Sequence, residues 1–108
     1  MKVHTYNKAV RDLIPDIIRA QSKECMVEEV PPQDFLQLLK SKLAEEVAEY
    51  QANPSLEELA DIQEVIRAIL QLTGHSWTEL EAIREEKALS RGGFQKRLFL
   101  KTVLQEGE

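Results

Sequence analysis

The chain has 108 residues, of which 43% are hydrophobic and 31% charged, and its formal net charge is −5. This length predicts one domain over residues 1–108. The negative charge disfavours a nucleic-acid partner. No apolar run approaches the roughly 20 residues that span a bilayer, and the lone cysteine cannot form an internal disulfide. We therefore expect a cytoplasmic protein without a membrane partner.

The residue pattern of the N-terminal region predicts one short helix. Its apolar residues fall at helical spacing, and the helix is expected to begin near Asp12 or Ile14 and to end near Gln21. Pro15 fits only in the first turn, and Asp12 is the expected N-cap. Residues 25–30 are expected to be extended, up to Pro31-Pro32.

Two longer amphipathic helices are predicted in the middle of the chain, from about Gln33 to Gln51 and from about Leu56 to Leu72. Asn53-Pro54-Ser55 between them is typical of a turn, so the helices should run antiparallel as a hairpin. Each helix has an apolar stripe: Leu36, Leu39, Leu43, Val47 and Tyr50 on the first, and Leu59, Ile62, Ile66, Ile69 and Leu70 on the second.

The second helix of the hairpin has an unusually wide apolar arc, because Val65 and Ala68 extend its stripe. A wide arc indicates packing on two sides. We therefore expect at least a homodimer, in which a second subunit completes a helical bundle.

The C-terminal third predicts a fourth helix. Gly74 should terminate the third helix, and Ser76 with Glu79 forms a candidate capping box for a helix from about Trp77 to Leu89. Arg91-Gly92-Gly93 should end it. The tail beyond is either a short strand or an extended arm. The expected fold is thus an all-α domain of four helices with short extended termini.

Five carboxylates concentrate on the hairpin: Glu45, Glu46, Glu49, Glu58 and Asp61. Three-residue steps place Glu46 with Glu49, and Glu58 with Asp61, on common helical faces. Glu58 and Asp61 fall within the apolar arc, where an unpaired charge is costly. If the hairpin brings the two pairs together, a hard divalent cation such as Mg²⁺ or Mn²⁺ is the natural neutralising partner.

A plainer interpretation of these carboxylates stays open. Glutamate-rich helices are common, and their side chains usually face water. Ser55 and Glu58 also form a candidate capping box, in which Glu58 only reaches back to the start of its own helix. A redox iron site is disfavoured because neither helix carries the Glu-x-x-His pattern of di-iron bundles.

The acidic pattern, Glu45-Glu46-x-x-Glu49 followed by Glu58-x-x-Asp61, resembles that of the all-α nucleoside triphosphate pyrophosphohydrolases, the MazG-like proteins. The flanking stretches YNKAVRDLIPDII and KALSRGGFQKRLF are similar to the ends of a phosphoribosyl-ATP-pyrophosphohydrolase-like subgroup of that family. The resemblance therefore covers nearly the whole chain.

The resemblance implies Mg²⁺-dependent hydrolysis between the α- and β-phosphates of a nucleotide, giving a nucleoside monophosphate and pyrophosphate. It implies metal ligands at Glu46, Glu49, Glu58 and Asp61, with Glu45 helping to orient the attacking water. Five carboxylates exceed what one partly hydrated Mg²⁺ needs, so more than one metal ion is compatible with the motif.

Basic residues supply candidate phosphate-binding groups. Gly92-Gly93 would let backbone N–H groups approach an anion that neighbouring cations neutralise, and the N-terminal cations join them if that segment folds over the site. The candidate substrate-binding residues are Lys8, Arg11, Lys87, Arg91, Gly92, Gly93 and Arg97. Alternatively, basic residues in the last turn only favour the helix dipole, and the glycines only end the helix.

Other functions remain open from the sequence. The substrate can be a phosphoribosyl-nucleotide-like or another pyrophosphate-containing molecule. A non-catalytic helical interaction module on the same fold, or a viral accessory protein, is also compatible. The complete acidic set favours an enzyme, because a decayed module would be expected to have lost a ligand.

Overall fold

The computed structural model describes residues 2–107, and the regular secondary structure of this part of the chain is entirely helical. This confirms the predicted all-α class. The chain forms two compact units, one ending at His75 and the other beginning at Ser76. None of the described helices combines the length and the apolar character needed to cross a membrane. The four helices are α1 (Ile14–Ala20), α2 (Pro32–Ala52), α3 (Leu56–Leu72) and α4 (Trp77–Arg91).

Helices α2 and α3 form the predicted hairpin. They pack closely across a connection of three residues, 53–55. Leu39 of α2 packs with Val65 of α3, whereas Glu46, seven residues later on α2, lies near Glu58, seven residues earlier on α3. This opposite progression along the two helices defines an antiparallel pair.

The hydrophobic core of the first unit is centred on Ala9, Leu39 and Val65. Val65, which the prediction placed beside the main stripe of α3, is the buried residue of this helix, whereas Leu59 of the stripe is 45% exposed. The other residues of the predicted stripe are partly buried: Ile62, Ile66, Ile69 and Leu70. Partly buried side chains surround the core: Phe35, Leu38, Leu43, Ala68, Ile69 and Leu72.

Helix α1 begins at Ile14, one of its two predicted starts, but its N-cap is not the expected residue. The N-cap is Leu13, whose backbone is already in the right-handed helical region and whose side chain makes no cap hydrogen bond. The prediction of Asp12 as the cap was therefore wrong, because Asp12 lies one residue before the capping position. Pro15 lies in the first turn, as expected, where its missing N–H costs no helical hydrogen bond.

The predicted end of α3 and start of α4 are confirmed. Gly74 adopts a positive φ of 78°, and the N–H of His75 donates to the carbonyl of Leu70 at 2.8 Å, which is a Schellman closure. At the start of α4, Ser76 and Glu79 exchange both capping-box hydrogen bonds. The tail over residues 94–107 contains no strand.

Several large apolar side chains of the first unit are exposed. Leu13 and Ile17 of the N-terminal region are at least half exposed, and Leu56 at the start of α3 is 82% exposed. These side chains offer apolar surface to a partner, and the homodimer stays a prediction.

Because the core is small, we expect the truncation of one core side chain to have a large effect on stability. Leu39→Ala should destabilise the first unit by about 2–4 kcal/mol, because Leu39 is only 4% exposed and its removal leaves a cavity. Leu56→Ala is the matched control on α3 and should cost much less. Urea unfolding followed by far-ultraviolet circular dichroism measures both, and equal losses would contradict this placement of the core.

Candidate metal centre

The hairpin brings five carboxylates together in two overlapping groups. The outer triad consists of Glu45, Glu46 and Glu49, all on α2. The inner triad consists of Glu46 with Glu58 and Asp61 of α3. Within each triad, one carboxylate oxygen per residue lies within 4.8 Å of the others. We call the five residues together the acidic cluster, and Glu46 is the member that both triads share.

Glu46 is the most buried member of the acidic cluster, with 6% of its surface exposed. Its Oε1 pairs with the ammonium group of Lys42 at 3.5 Å, one helical turn earlier. Its Oε2 is buried and accepts no hydrogen bond from the described residues. A buried carboxylate oxygen without a donor is costly, so this atom calls for a positive partner.

Glu58 provides the second carboxylate oxygen of the cluster that is buried without a hydrogen-bond partner among the described residues. Ser55 Oγ accepts a hydrogen bond from the Glu58 backbone N–H at 3.2 Å, which is the serine half of a capping box. The side-chain Oε2 of Glu58 is nevertheless buried without a hydrogen-bond partner in the described part of the chain. Glu58 therefore keeps a carboxylate oxygen available to a ligand, beyond its place at the helix start.

The N-terminal segment lies against the acidic cluster. Lys8 Nζ contacts Glu45 of α2 at 3.1 Å, and a guanidinium nitrogen of Arg11 donates to Asp61 of α3 at 2.8 Å. Ala9 between them is buried in the core. Two of the predicted substrate-binding cations thus contact predicted site residues: Lys8 contacts Glu45, the predicted water-orienting residue, and Arg11 contacts Asp61, a predicted metal ligand.

These charges shift the ionisation of two members of the cluster in opposite directions. Burial raises the pKa of the Glu46 carboxyl above its usual range, and the nearby Glu49 carboxylate raises it further. The ammonium group of Lys8 lowers the pKa of Glu45, and Glu45 in turn raises the pKa of Lys8. Lys8 therefore favours the ionised form of Glu45, whereas burial disfavours the ionised form of Glu46, which a bound cation would favour.

The donor set fits a hard divalent cation. All of its ligands are carboxylate oxygens, which Mg²⁺ and Mn²⁺ prefer over nitrogen or sulfur. The two orphaned oxygens belong to Glu46 and Glu58, which both lie in the inner triad. The inner triad is therefore the better candidate for a metal centre, with Asp61 as its third ligand.

The remaining predicted site residues belong to the second unit. Lys87, Arg91, Gly92 and Gly93 line one open groove at the end of α4, together with Phe94. Gly92 has a positive φ of 86°, which ends the helix after Arg91. Arg97 follows in a turn and also has a positive φ, 53°.

The sequence interpretation missed two residues of the centre. Lys42 pairs with Glu46 although it was not singled out, and the four-residue spacing between them was the available signal. Ala9, which anchors the N-terminal segment in the core, carries no comparable signal because a single alanine fits many environments.

Comparisons with protein-family models, with curated proteins and with solved structures found no match. A function for this chain therefore rests on its own residues and on the resemblance of its motifs.

The orphaned oxygen of Glu58 gives a test of the centre. Without metal, Glu58→Gln should stabilise the first unit by about 1 kcal/mol, because a clustered, partly buried charge is removed. The same variant should lose most of the stabilisation by Mg²⁺ that we expect for the wild type. Thermal unfolding in EDTA and in Mg²⁺ measures both effects.

Glu57→Gln is the matched control for this variant. Glu57 also lies in the first turn of α3, so the control loses the same favourable charge at the helix N-terminus. It should keep the response to Mg²⁺. Equal Mg²⁺ responses in the two variants would exclude Glu58 as a ligand.

Proposed function

We propose that the chain is a Mg²⁺-dependent nucleoside triphosphate pyrophosphohydrolase. The observation that carries the proposal is the inner triad, in which two buried carboxylate oxygens lack a hydrogen-bond partner within residues 2–107. Two exposed cations lie at the acidic cluster, Arg11 on Asp61 of this triad and Lys8 on Glu45 of the outer triad. Oxygen ligands for a divalent cation and mobile cations for phosphate groups are what phosphoanhydride hydrolysis needs. The resemblance to MazG-like proteins supports the same reaction.

Glu46, Glu58 and Asp61 would hold the metal ion, and Glu49 would complete the ligands from the exposed side. Bound there, Mg²⁺ would supply neutralisation of the phosphate charges. Glu45, which Lys8 keeps ionised, can accept a hydrogen bond from a water molecule and orient it. That water would add to the α-phosphorus, the bond from this phosphorus to the bridging oxygen would break, pyrophosphate would leave with that oxygen, and the proton of the water would pass to solvent.

Lys8 and Arg11 are the residues best placed to bind the substrate. Their side chains are 39% and 54% exposed, and exposed ion pairs contribute little to stability. A triphosphate offers these cations more negative charge than one carboxylate does. We therefore expect both side chains to leave Glu45 and Asp61 for phosphate oxygens when the substrate binds.

Pyrophosphate release tests the proposal. The wild-type chain should release pyrophosphate from one or more members of a panel of canonical and modified nucleoside triphosphates in Mg²⁺, and none in EDTA. The ranking of the panel would define the preferred base and sugar. Release in EDTA would contradict a metal-dependent reaction, and no release from any triphosphate would exclude this substrate class.

Removal of a ligand charge gives a residue-level prediction. Glu49→Gln and Asp61→Asn should each lower kcat by at least about a hundredfold, because a ligand of the metal ion is lost. Glu64→Gln, on the exposed face of α3, is the control and should keep wild-type activity. Circular dichroism should show unchanged helix content in all three variants, and wild-type turnover in either ligand variant would refute the assignment.

Neutralising the N-terminal cations should weaken substrate binding. Lys8→Met and Arg11→Met should each raise KM several-fold, because a charge-assisted bond to phosphate is lost. Lys23→Met removes an exposed cation from the same unit and should leave KM unchanged. Steady-state kinetics at saturating Mg²⁺ measures this, and an unchanged KM in both test variants would show that the pairs with Glu45 and Asp61 are only structural.

A further inference from the structure

The acidic cluster is already partly neutralised by cations of the chain itself. Within residues 2–107, three of its carboxylates pair with a cation: Glu45 with Lys8, Asp61 with Arg11 and Glu46 with Lys42. If a bound metal ion keeps all five carboxylates ionised, the three cations leave two negative charges for it to neutralise. This residual charge equals that of a single divalent cation.

The three internal cations differ in how firmly they are held. Lys8 and Arg11 reach the cluster from a segment without regular structure, and their side chains are substantially exposed. The side chain of Lys42 is only 17% exposed, and its partner Glu46 lies one turn further along the same helix. The helix itself therefore fixes this pair, whatever the N-terminal segment does.

Because of this pair, the two carboxylate oxygens of Glu46 differ in their surroundings. Oε1 is held by Lys42 at 3.5 Å, and Oε2 is the orphaned atom. A metal ion in the inner triad can use Oε2 and leave Lys42 in place. A second ion in the outer triad would have to share the remaining oxygen of Glu46 with the ammonium group of Lys42, and like charges at that separation repel strongly in a partly buried site.

We propose that Lys42 is a positioning residue that acts as a permanent internal cation of the metal centre. It holds Oε1 of Glu46, directs Oε2 to the inner triad and, together with Lys8 and Arg11, limits the nucleotide-free cluster to one divalent cation. The inference rests on the proposed function, because it takes the acidic cluster to be a metal site. It adds the number of ions and a residue that the motif does not contain.

Mn²⁺ binding without nucleotide tests the inference, with the free ion followed by electron paramagnetic resonance. The wild type should bind one Mn²⁺ per chain. Lys42→Met should bind a second ion and should hold the first more tightly, by a factor on the order of ten, because a repelling charge has gone. Lys40→Met, which removes an exposed cation from the same helix, should match the wild type.

Thermal unfolding separates this role from a merely structural one. Lys42→Met should unfold at a lower temperature than the wild type in EDTA and should recover the difference in Mn²⁺. An equal decrease in unfolding temperature with and without Mn²⁺, together with unchanged stoichiometry and affinity of Mn²⁺ binding, would overturn the inference. Lys42→Arg keeps the charge and should restore one ion per chain, so two ions in this variant would also overturn it.

The Mn²⁺ titration of the wild type distinguishes failure of the one-ion inference from failure of the proposed function. Two or more tightly bound Mn²⁺ ions per wild-type chain would overturn the one-ion inference and leave the metal centre standing. No saturable binding to the wild type would overturn the proposed function and the inference together.

Discussion

A carboxylate buried between two packed helices is the constraint on which the rest of the site depends. Glu46 lies at the contact of α2 with α3, and only one of its two oxygens has a partner within the described chain. Burying a charge in this way is costly, so a fold that keeps it must offset it. Lys42 offsets part of the cost, and a divalent cation shared with Glu58 and Asp61 would offset the remainder.

The hairpin register determines which carboxylates meet. Packing of Leu39 against Val65 aligns the two helices, and the same alignment brings Glu46 opposite Glu58. A slip of one residue would rotate the acidic faces away from one another. The hydrophobic core and the candidate metal centre therefore share one contact surface, whose apolar half sets the position of its acidic half.

The N-terminal segment contacts both the hydrophobic core and the acidic cluster, through three of its residues. Ala9 is buried in the core, while Lys8 and Arg11 on either side pair with carboxylates of α2 and α3 respectively. The segment thus spans the hairpin and carries its cations to the candidate metal centre. Among its described contacts are one small apolar residue in the core and two exposed ion pairs. Under the proposed function, substrate phosphates would compete for these cations without disturbing the helices.

The sequence predicted those features that depend on local chemistry. The bounds of α3, the glycine stop after it and the capping box of α4 follow from backbone preferences that act over a few residues. The partly buried placement of Glu58 and Asp61 beside the apolar face of α3 followed from helical periodicity.

Features that depend on distant contacts were not predictable in the same way. The helical period could not choose Val65 over the neighbouring stripe, because that choice depends on where α2 lies. The contact of Arg11 with Asp61 joins residues fifty positions apart and was only one of several open possibilities. The predicted N-cap of α1 was also wrong, because the start of this helix is set by the turn at residues 12 and 13.

The location of bound Mn²⁺ tests the central claim most directly. In a nuclear magnetic resonance titration, substoichiometric Mn²⁺ should first broaden the amide resonances of residues 45–49 and 58–61, and excess Mg²⁺ should restore them. Helix α4, which also carries several glutamates, serves as an internal control within the same chain. Broadening centred on α4, or spread evenly over all acidic residues, would contradict a metal centre at the hairpin.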